Sequence, residues 1–160
     1  ERIFEVKDLK LPTDFETLAK AQTQVQLFEQ AHNLAHEHIA HFERLSPRLQ
    51  GILQIGKDVT HAQYDAALHH IDRCRQQLQT VFQDVDVLLA PSAQGEAPEN
   101  LENTGDPVFC RIWTVLHTPA INVPAVLGAK GMPIGLQVVG AVGVDALTLA
   151  AAHAVHQHLT

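Results

Sequence analysis

The segment TPAINVPAVLGAKGMPIGLQVVG, residues 118–140, reads as two strands joined by a turn. Residues 120–125 and 134–139 are apolar and rich in Ile and Val, and the glycine and proline of 128–133 between them supply turn chemistry. Just upstream, residues 86–90 carry the continuous apolar run VLLA between Asp86 and Pro91. Such a run fits a strand buried on both faces. Residues 92–107 then read as a loop rich in Gly, Pro, Glu and Asn, long enough within a compact domain to suggest a functional role.

Composition shifts at this point in the chain. Before residue 91 only Gly51, Gly56, Pro12 and Pro47 interrupt helical patterning. Asp14 is placed to cap a helix reaching Glu43, with Phe15, Leu18, Val25, Phe28, Ala31, Ala35, Ile39 and Phe42 at three-to-four spacing along one face. Ser46-Pro47 starts a break followed by a short apolar turn over 48–55. Thr60 and Gln63 have capping-box spacing and open a helix to Gln83, with Tyr64, Leu68, Ile71, Leu78 and Phe82 inward. Residues 109–116 fit a short helix, and Asp145 caps a last helix through His158 with Leu147, Ala151, Ala154 and Val155 inward. A short strand is expected over 2–6. The sum is a mixed α/β chain: helical over 14–84, strand- and turn-rich over 85–143, with a terminal helix over 145–158.

The 160 residues suit one domain with a sizeable core, 46% of them apolar and 18% charged. Eleven Lys and Arg against 18 Asp and Glu give a net charge of −7, the wrong sign for a partner made of phosphate backbone, so no nucleic acid is expected. No apolar run is long enough to cross a membrane. The two cysteines, Cys74 and Cys110, make no disulfide framework, which points to a reducing, cytoplasmic setting.

Eleven histidines are the most conspicuous chemical feature. His32 and His36 share a helix face, and His38 and His41 extend the cluster, but the metalloprotease pattern needs His where Ala40 stands. A solvated face is the simpler reading there, and for His69-His70 and His153, His156 and His158. No metal and no cofactor are expected. Cys74, beside Arg73 and Arg75, reads as a structural helix cysteine, and Cys110 with His117 downstream makes a nucleophile pair only through spatial contact. There are only two serines, Ser46 and Ser92. Ser92 follows the VLLA strand, where α/β folds face ligand crevices, but no nucleophile elbow surrounds it. Trp113 suits core or pocket wall equally.

DVDVLLAP (84–91), TPAINVPAVLGAKGMPIGLQVVG (118–140), SPRLQ (46–50) and the Ala-rich end of the chain after Asp145 together resemble the C-terminal part of the amidase-signature hydrolases. The resemblance covers nearly the whole chain, 1–160, and implies a mixed sheet sandwiched by helices, part of a larger sandwich. It implies hydrolysis of a carboxamide carbon–nitrogen bond by a Ser–Ser–Lys triad, in which a base must take a proton before a serine hydroxyl can attack, with backbone donors for the oxyanion. The family's Gly-Gly-Ser-Ser-Gly stretch has no counterpart here, and none of Lys7, Lys10, Lys20, Lys57 and Lys130 matches a catalytic position. No catalytic residue is carried over, and the chain alone is expected to be inactive, its catalytic portion lying upstream or missing.

What the resemblance offers instead is a substrate pocket wall at Pro91, Ser92, Trp113 and Thr114, with His117 where many relatives carry Gly. The implied partners are a small-molecule amide in the full-length protein, the upstream catalytic portion, and further copies through exposed sheet edges. A non-catalytic binding or scaffolding module derived from an amidase is the alternative.

Overall fold

The computed structural model describes residues 4–100 and 102–159. It contains, among them, six α-helices and one three-stranded sheet: α1 Leu18–Asn33, α2 Ala35–Ala40, α3 Pro47–Lys57, α4 His61–Val81, β1 Val87–Pro91, α5 Val108–Leu116, β2 Ala120–Leu127, β3 Pro133–Gly140 and α6 Asp145–Leu159. The expected α/β organisation is therefore found. The strand order is β1-β3-β2 and both ladders are antiparallel. Of the strand expected over 2–6, Arg2 and Ile3 lie outside the described residues, and Phe4–Val6 carries no regular structure.

The helical half departs from the sequence expectation in three places. The single helix to Glu43 is divided at Leu34, whose φ of −103° and ψ of 22° leave the helical region. The division follows His32, whose Nδ1 bonds the Phe28 carbonyl at 2.8 Å and so competes with the backbone ladder in the last turn. The phase of the apolar stripe is lost with it: Phe15, Leu18, Phe28 and Ala31 are buried, whereas Ile39 is 83% exposed. Asp14 caps nothing; its carboxylate accepts from Gln77 Nε2 at 2.9 Å, tying the start of the chain to α4. The apolar turn expected over 48–55 is the three-turn helix α3. Ser46 Oγ accepts from the Leu49 amide at 3.3 Å and Pro47 takes the first helical position, where its missing N–H costs nothing.

The Thr60–Gln63 capping box forms as the spacing predicts: Thr60 Oγ1 accepts from the Gln63 amide at 3.2 Å, and Gln63 Oε1 accepts from the Thr60 amide at 2.8 Å. The inward face of α4 is Ala67, Ile71, Cys74 and Leu78, with Phe82 packed against it beyond the helix end and Tyr64 half-buried on the Phe28 ring. Helices α1 and α3 meet at Gly56, where a Cβ would strike the Leu27 carbonyl and stand 2.9 Å from Ala31 Cβ.

Helices cover both faces of the sheet. On one side Leu88 and Val139 join Leu18, Ile71, Leu78, Trp113 and Leu116 in the larger core. On the other, Val123 and Val138 pack against Ala152 and Val155 of α6. Each fully buried leucine, such as Leu18 or Leu116, contributes about 1.5–3 kcal/mol. β1 is not buried on both faces as expected, because it is an edge strand and α6 lies across β2 and β3; Leu88 is 9% exposed and Leu89 46%. The inward face of α6 is met in part: Val155 is buried as expected and Ala151 packs beside it, but Thr148 and Ala152 are buried and Leu147 is exposed. Asp145 lies in its first turn, while the Val144 carbonyl accepts the first helical bond, from the Thr148 amide at 3.0 Å. The carboxylate still faces the positive end of the helix dipole.

Candidate functional site

The polar end of the helix-covered sheet face is built by strand register. Gln137 of β3 lies opposite both Ala90 of β1 and Asn122 of β2, so these three residues form one row across the sheet. Two residues further along β3, on the same face, stands Gly135. A Cβ there would strike Asn122 Oδ1 and come within 2.9 Å of Ser92 Oγ. The missing side chain leaves room for the Ser92 hydroxyl to donate to Asn122 Oδ1 over the middle strand, so residues from the two edge strands meet. The Ser92 amide donates to the Gly135 carbonyl at 3.1 Å, extending the β1–β3 ladder by one residue and fixing where its side chain projects.

Helix α5 borders this patch. Its Cys110 Sγ donates to the Ser92 carbonyl at 3.6 Å and accepts from Gln137 Nε2 at 3.4 Å. Gln137 is only 6% exposed and its Oε1 has no hydrogen-bond partner, whereas Cys110 is exposed. Thr114, one turn on, lies on the exposed side of α5 and its hydroxyl donates to the Cys110 carbonyl at 3.0 Å.

The five residues expected to wall a pocket are thus distributed. Pro91 and Ser92 sit at the end of β1 beside this cluster, and Thr114 adjoins it through Cys110. Trp113 faces the opposite way, into the helical core, 4% exposed and with its Nε1 unpaired. His117 lies past the far end of α5, at φ 58° and ψ 32°, a left-handed conformation at the C-cap position. Arg75 closes that helix end: Nε and a terminal nitrogen donate to the Val115 carbonyl at 2.9 and 2.6 Å, and a terminal nitrogen donates to His117 Nε2 at 2.9 Å. Sequence reasoning does not single out Asn122, Gln137 or Cys110 as pocket residues. The local signal available is Gln137 itself, a polar residue inside the apolar run of β3.

Beyond the cluster, Glu96 pins loop 92–107 onto the β2–β3 turn. Its carboxylate accepts from the Lys130 amide at 2.9 Å and lies where a Cβ on Gly128 would be. The other cysteine, Cys74, is fully buried; burial raises its thiol pKa above the usual value, Asp14 adds to this, and Arg73 opposes it. The histidines of α1 and α2 are engaged locally, His32 stacked on Phe28 at 4.0 Å and His36 5.5 Å from His41. Among the described residues no three His, Cys, Asp or Glu side chains converge to hold a metal ion, and no helix is long and apolar enough to cross a membrane.

Known proteins resemble this chain in sequence and in fold. A glutamyl-tRNA(Gln) amidotransferase subunit of Gluconobacter oxydans is 35% identical over 105 residues, covering 59% of this chain and 21% of that protein. Its counterpart in a Synechococcus strain is 37% identical over 90 residues, covering 52% of this chain and 18% of that one. The chain therefore spans about a fifth of the length of the curated relatives it matches. A crystal structure of an amidase superposes on 98% of this chain and 38% of its own with a TM-score of 0.84 and 25% identity. The Amidase family profile matches residues 10–149, and the chain belongs to that family.

Proposed function

We infer that this chain is the C-terminal portion, residues 1–160, of an amidase-signature hydrolase that cleaves a carboxamide carbon–nitrogen bond. It contributes pocket wall and no catalytic triad. The observation that carries the reading is the Ser92–Asn122 pair over Gly135, a polar contact at the end of an otherwise apolar sheet face. The absence of adjacent serines supports the division of labour, since a lone Ser92 bonded to a carboxamide oxygen has no base to take its proton. Within this reading Pro91, Ser92 and Thr114 line the acyl side of the substrate, Trp113 supports α5 from behind, and His117 sets the direction in which the chain leaves that helix. That this chain spans only 21% of one relative and 38% of an amidase structure supports placing the triad in the remainder of a longer protein.

The same reading accounts for apolar surface left open. Val126 and Leu127 at the end of β2 are 59% and 72% exposed, and Leu149 of α6 is 60% exposed. Ile121, Val123, Pro124, Leu149 and Ala152 line a shallow groove between β2 and α6. Exposed edges and apolar faces of this kind invite pairing with another chain, here the catalytic portion or a second copy.

The test incubates the isolated chain with simple primary amides and measures ammonia. The expected result is release no faster than in buffer. Release that disappears in the Ser92→Ala variant overturns the reading. The gene itself supplies the complementary check: an upstream segment with adjacent serines supports it, and a start codon immediately before Glu1 favours the non-catalytic module instead.

A further inference from the structure

Cys110 of α5 and Gln137 of β3 meet with their hydrogen-bonding capacities mismatched. Gln137 is 6% exposed; its Nε2 donates to Cys110 Sγ at 3.4 Å, and its Oε1 has no partner among the described residues. Buried carboxamides ordinarily satisfy both ends, so this one lacks a donor. The thiol beside it does not supply one, because its hydrogen is directed at the Ser92 carbonyl, 3.6 Å away. Exchanging the two ends of the amide still leaves one end unmet, since a thiol brings one weak hydrogen and a weakly accepting sulfur. Cys110 itself is exposed, whereas Cys74 is fully buried.

We propose that Cys110 is a site of reversible oxidation by hydrogen peroxide, its sulfenic acid held by the Gln137 carboxamide. In the step, Cys110 Sγ attacks one peroxide oxygen and the O–O bond breaks. The departing hydroxide takes up the proton that the thiol gives up, so the products are Cys–SOH and water. Sulfur loses two electrons and the peroxide gains them. The side chain has then acquired an O–H donor and an oxygen acceptor, one bond beyond the sulfur. Its hydroxyl can donate to Gln137 Oε1, the atom left unmet in the thiol form. What is given up is the long thiol contact with the Ser92 carbonyl. Leaving a buried acceptor unpaired is costly, so this exchange favours the sulfenic acid and holds its proton in place. The chain has no other exposed thiol to convert it into an internal disulfide, because Cys74 is buried. An external thiol restores Cys110 in two steps, through a mixed disulfide.

This chemistry stands apart from the amidase reading, since it needs only Cys110, Gln137 and a peroxide. The test treats the native chain with hydrogen peroxide, stops the reaction with catalase, and follows the Cys110 peptide by mass spectrometry with and without dimedone, which traps sulfenic acids. The expected result is one added oxygen at Cys110, captured by dimedone and removed by dithiothreitol, with Cys74 unmodified. Peptide mapping keeps this apart from oxidation of Met132, which is also exposed. Under excess peroxide, conversion of the sulfenic to the sulfinic acid should run roughly tenfold faster in Gln137→Leu, the effect of losing one hydrogen bond to a buried acceptor. A second readout needs no variant. In the unaltered protein labelled with nitrogen-15, the Gln137 side-chain amide signal shifts on oxidation and returns with dithiothreitol. The proposal is overturned by the absence of a dimedone adduct at Cys110, by equal conversion rates in the two proteins, or by an unmoved Gln137 signal.

Discussion

His117 is the one described non-glycine residue with positive φ, at 58°, and the energetic consequence can be isolated. Comparing the His117→Gly and His117→Ala variants removes the imidazole and its 2.9 Å bond to Arg75 from both, leaving the two Arg75 bonds to the Val115 carbonyl in place. What differs is the backbone. A residue with a Cβ held in the left-handed region costs roughly 1–2 kcal/mol. Glycine gives back about 0.4–1 kcal/mol because its unfolded chain is freer. The His117→Gly variant should therefore be more stable than His117→Ala by about 0.5–1 kcal/mol. For a chain of this size that is about 1–4 °C in melting temperature. The control is Ala66→Gly, exposed within α4, where the same change of side chain costs about 1 kcal/mol with the opposite sign. The assay is urea unfolding followed by far-ultraviolet circular dichroism, at a concentration where sedimentation gives one species. If the His117→Ala variant equals or exceeds His117→Gly, α5 does not end in a left-handed residue and the route from α5 to β2 has been misread.

Other outcomes follow from the same packing. Gly56→Ala gains about 1 kcal/mol of helix propensity but drives a Cβ into the Leu27 carbonyl, and overpacking costs about 1–3 kcal/mol, so net destabilisation is expected in urea; a more stable variant would refute the close approach of α1 and α3. Because the Cys74 thiol is raised above its ordinary 9.0 by burial and Asp14, its contribution to stability is complete below that value and is lost as pH rises from there through the folded pKa. Unfolding measured across pH 8 to 10.5 should fall less steeply in Cys74→Ala, and identical slopes would remove Cys74 from the account. In native protein an aromatic disulfide reagent should label Cys110 and reach Cys74 only after denaturation; two rapid native labels would contradict the burial of Cys74. Sedimentation at tens of micromolar should show concentration-dependent association through the β2 edge, reduced by Leu127→Lys, and a clean monomer would count against an open edge.

Much of the architecture is legible because its signals are local. The capping box at Thr60 and Gln63, the strands on either side of Gly128–Pro133, and the boundaries of α5 and α6 each depend on a handful of neighbouring residues. The failures have equally physical causes. Ser46-Pro47 reads as a stop, although Ser before Pro is also how a helix begins. Helix α6 is Ala-rich on most sides, so its pattern carries little contrast from which to choose the buried face. β1 looks buried because VLLA is apolar, but whether a strand has one neighbour or two is settled by the topology. The cluster of Ser92, Asn122 and Gln137 is the clearest case. Ser92 follows β1, Asn122 lies on β2 and Gln137 on β3, and only the order β1-β3-β2 and its register bring them together; no local spacing encodes that.

That strand order also dictates a schedule. The middle strand is the last of the three to be synthesised, so β1 has no ladder partner until β3 has left the ribosome, by which time β2 has already been made. The β2–β3 hairpin closes a short loop and can form first, with β1 captured afterwards across a much longer one. For that interval VLLA is an unpaired apolar segment on a nascent chain, and the helices preceding it, already able to fold among themselves, are its available shelter.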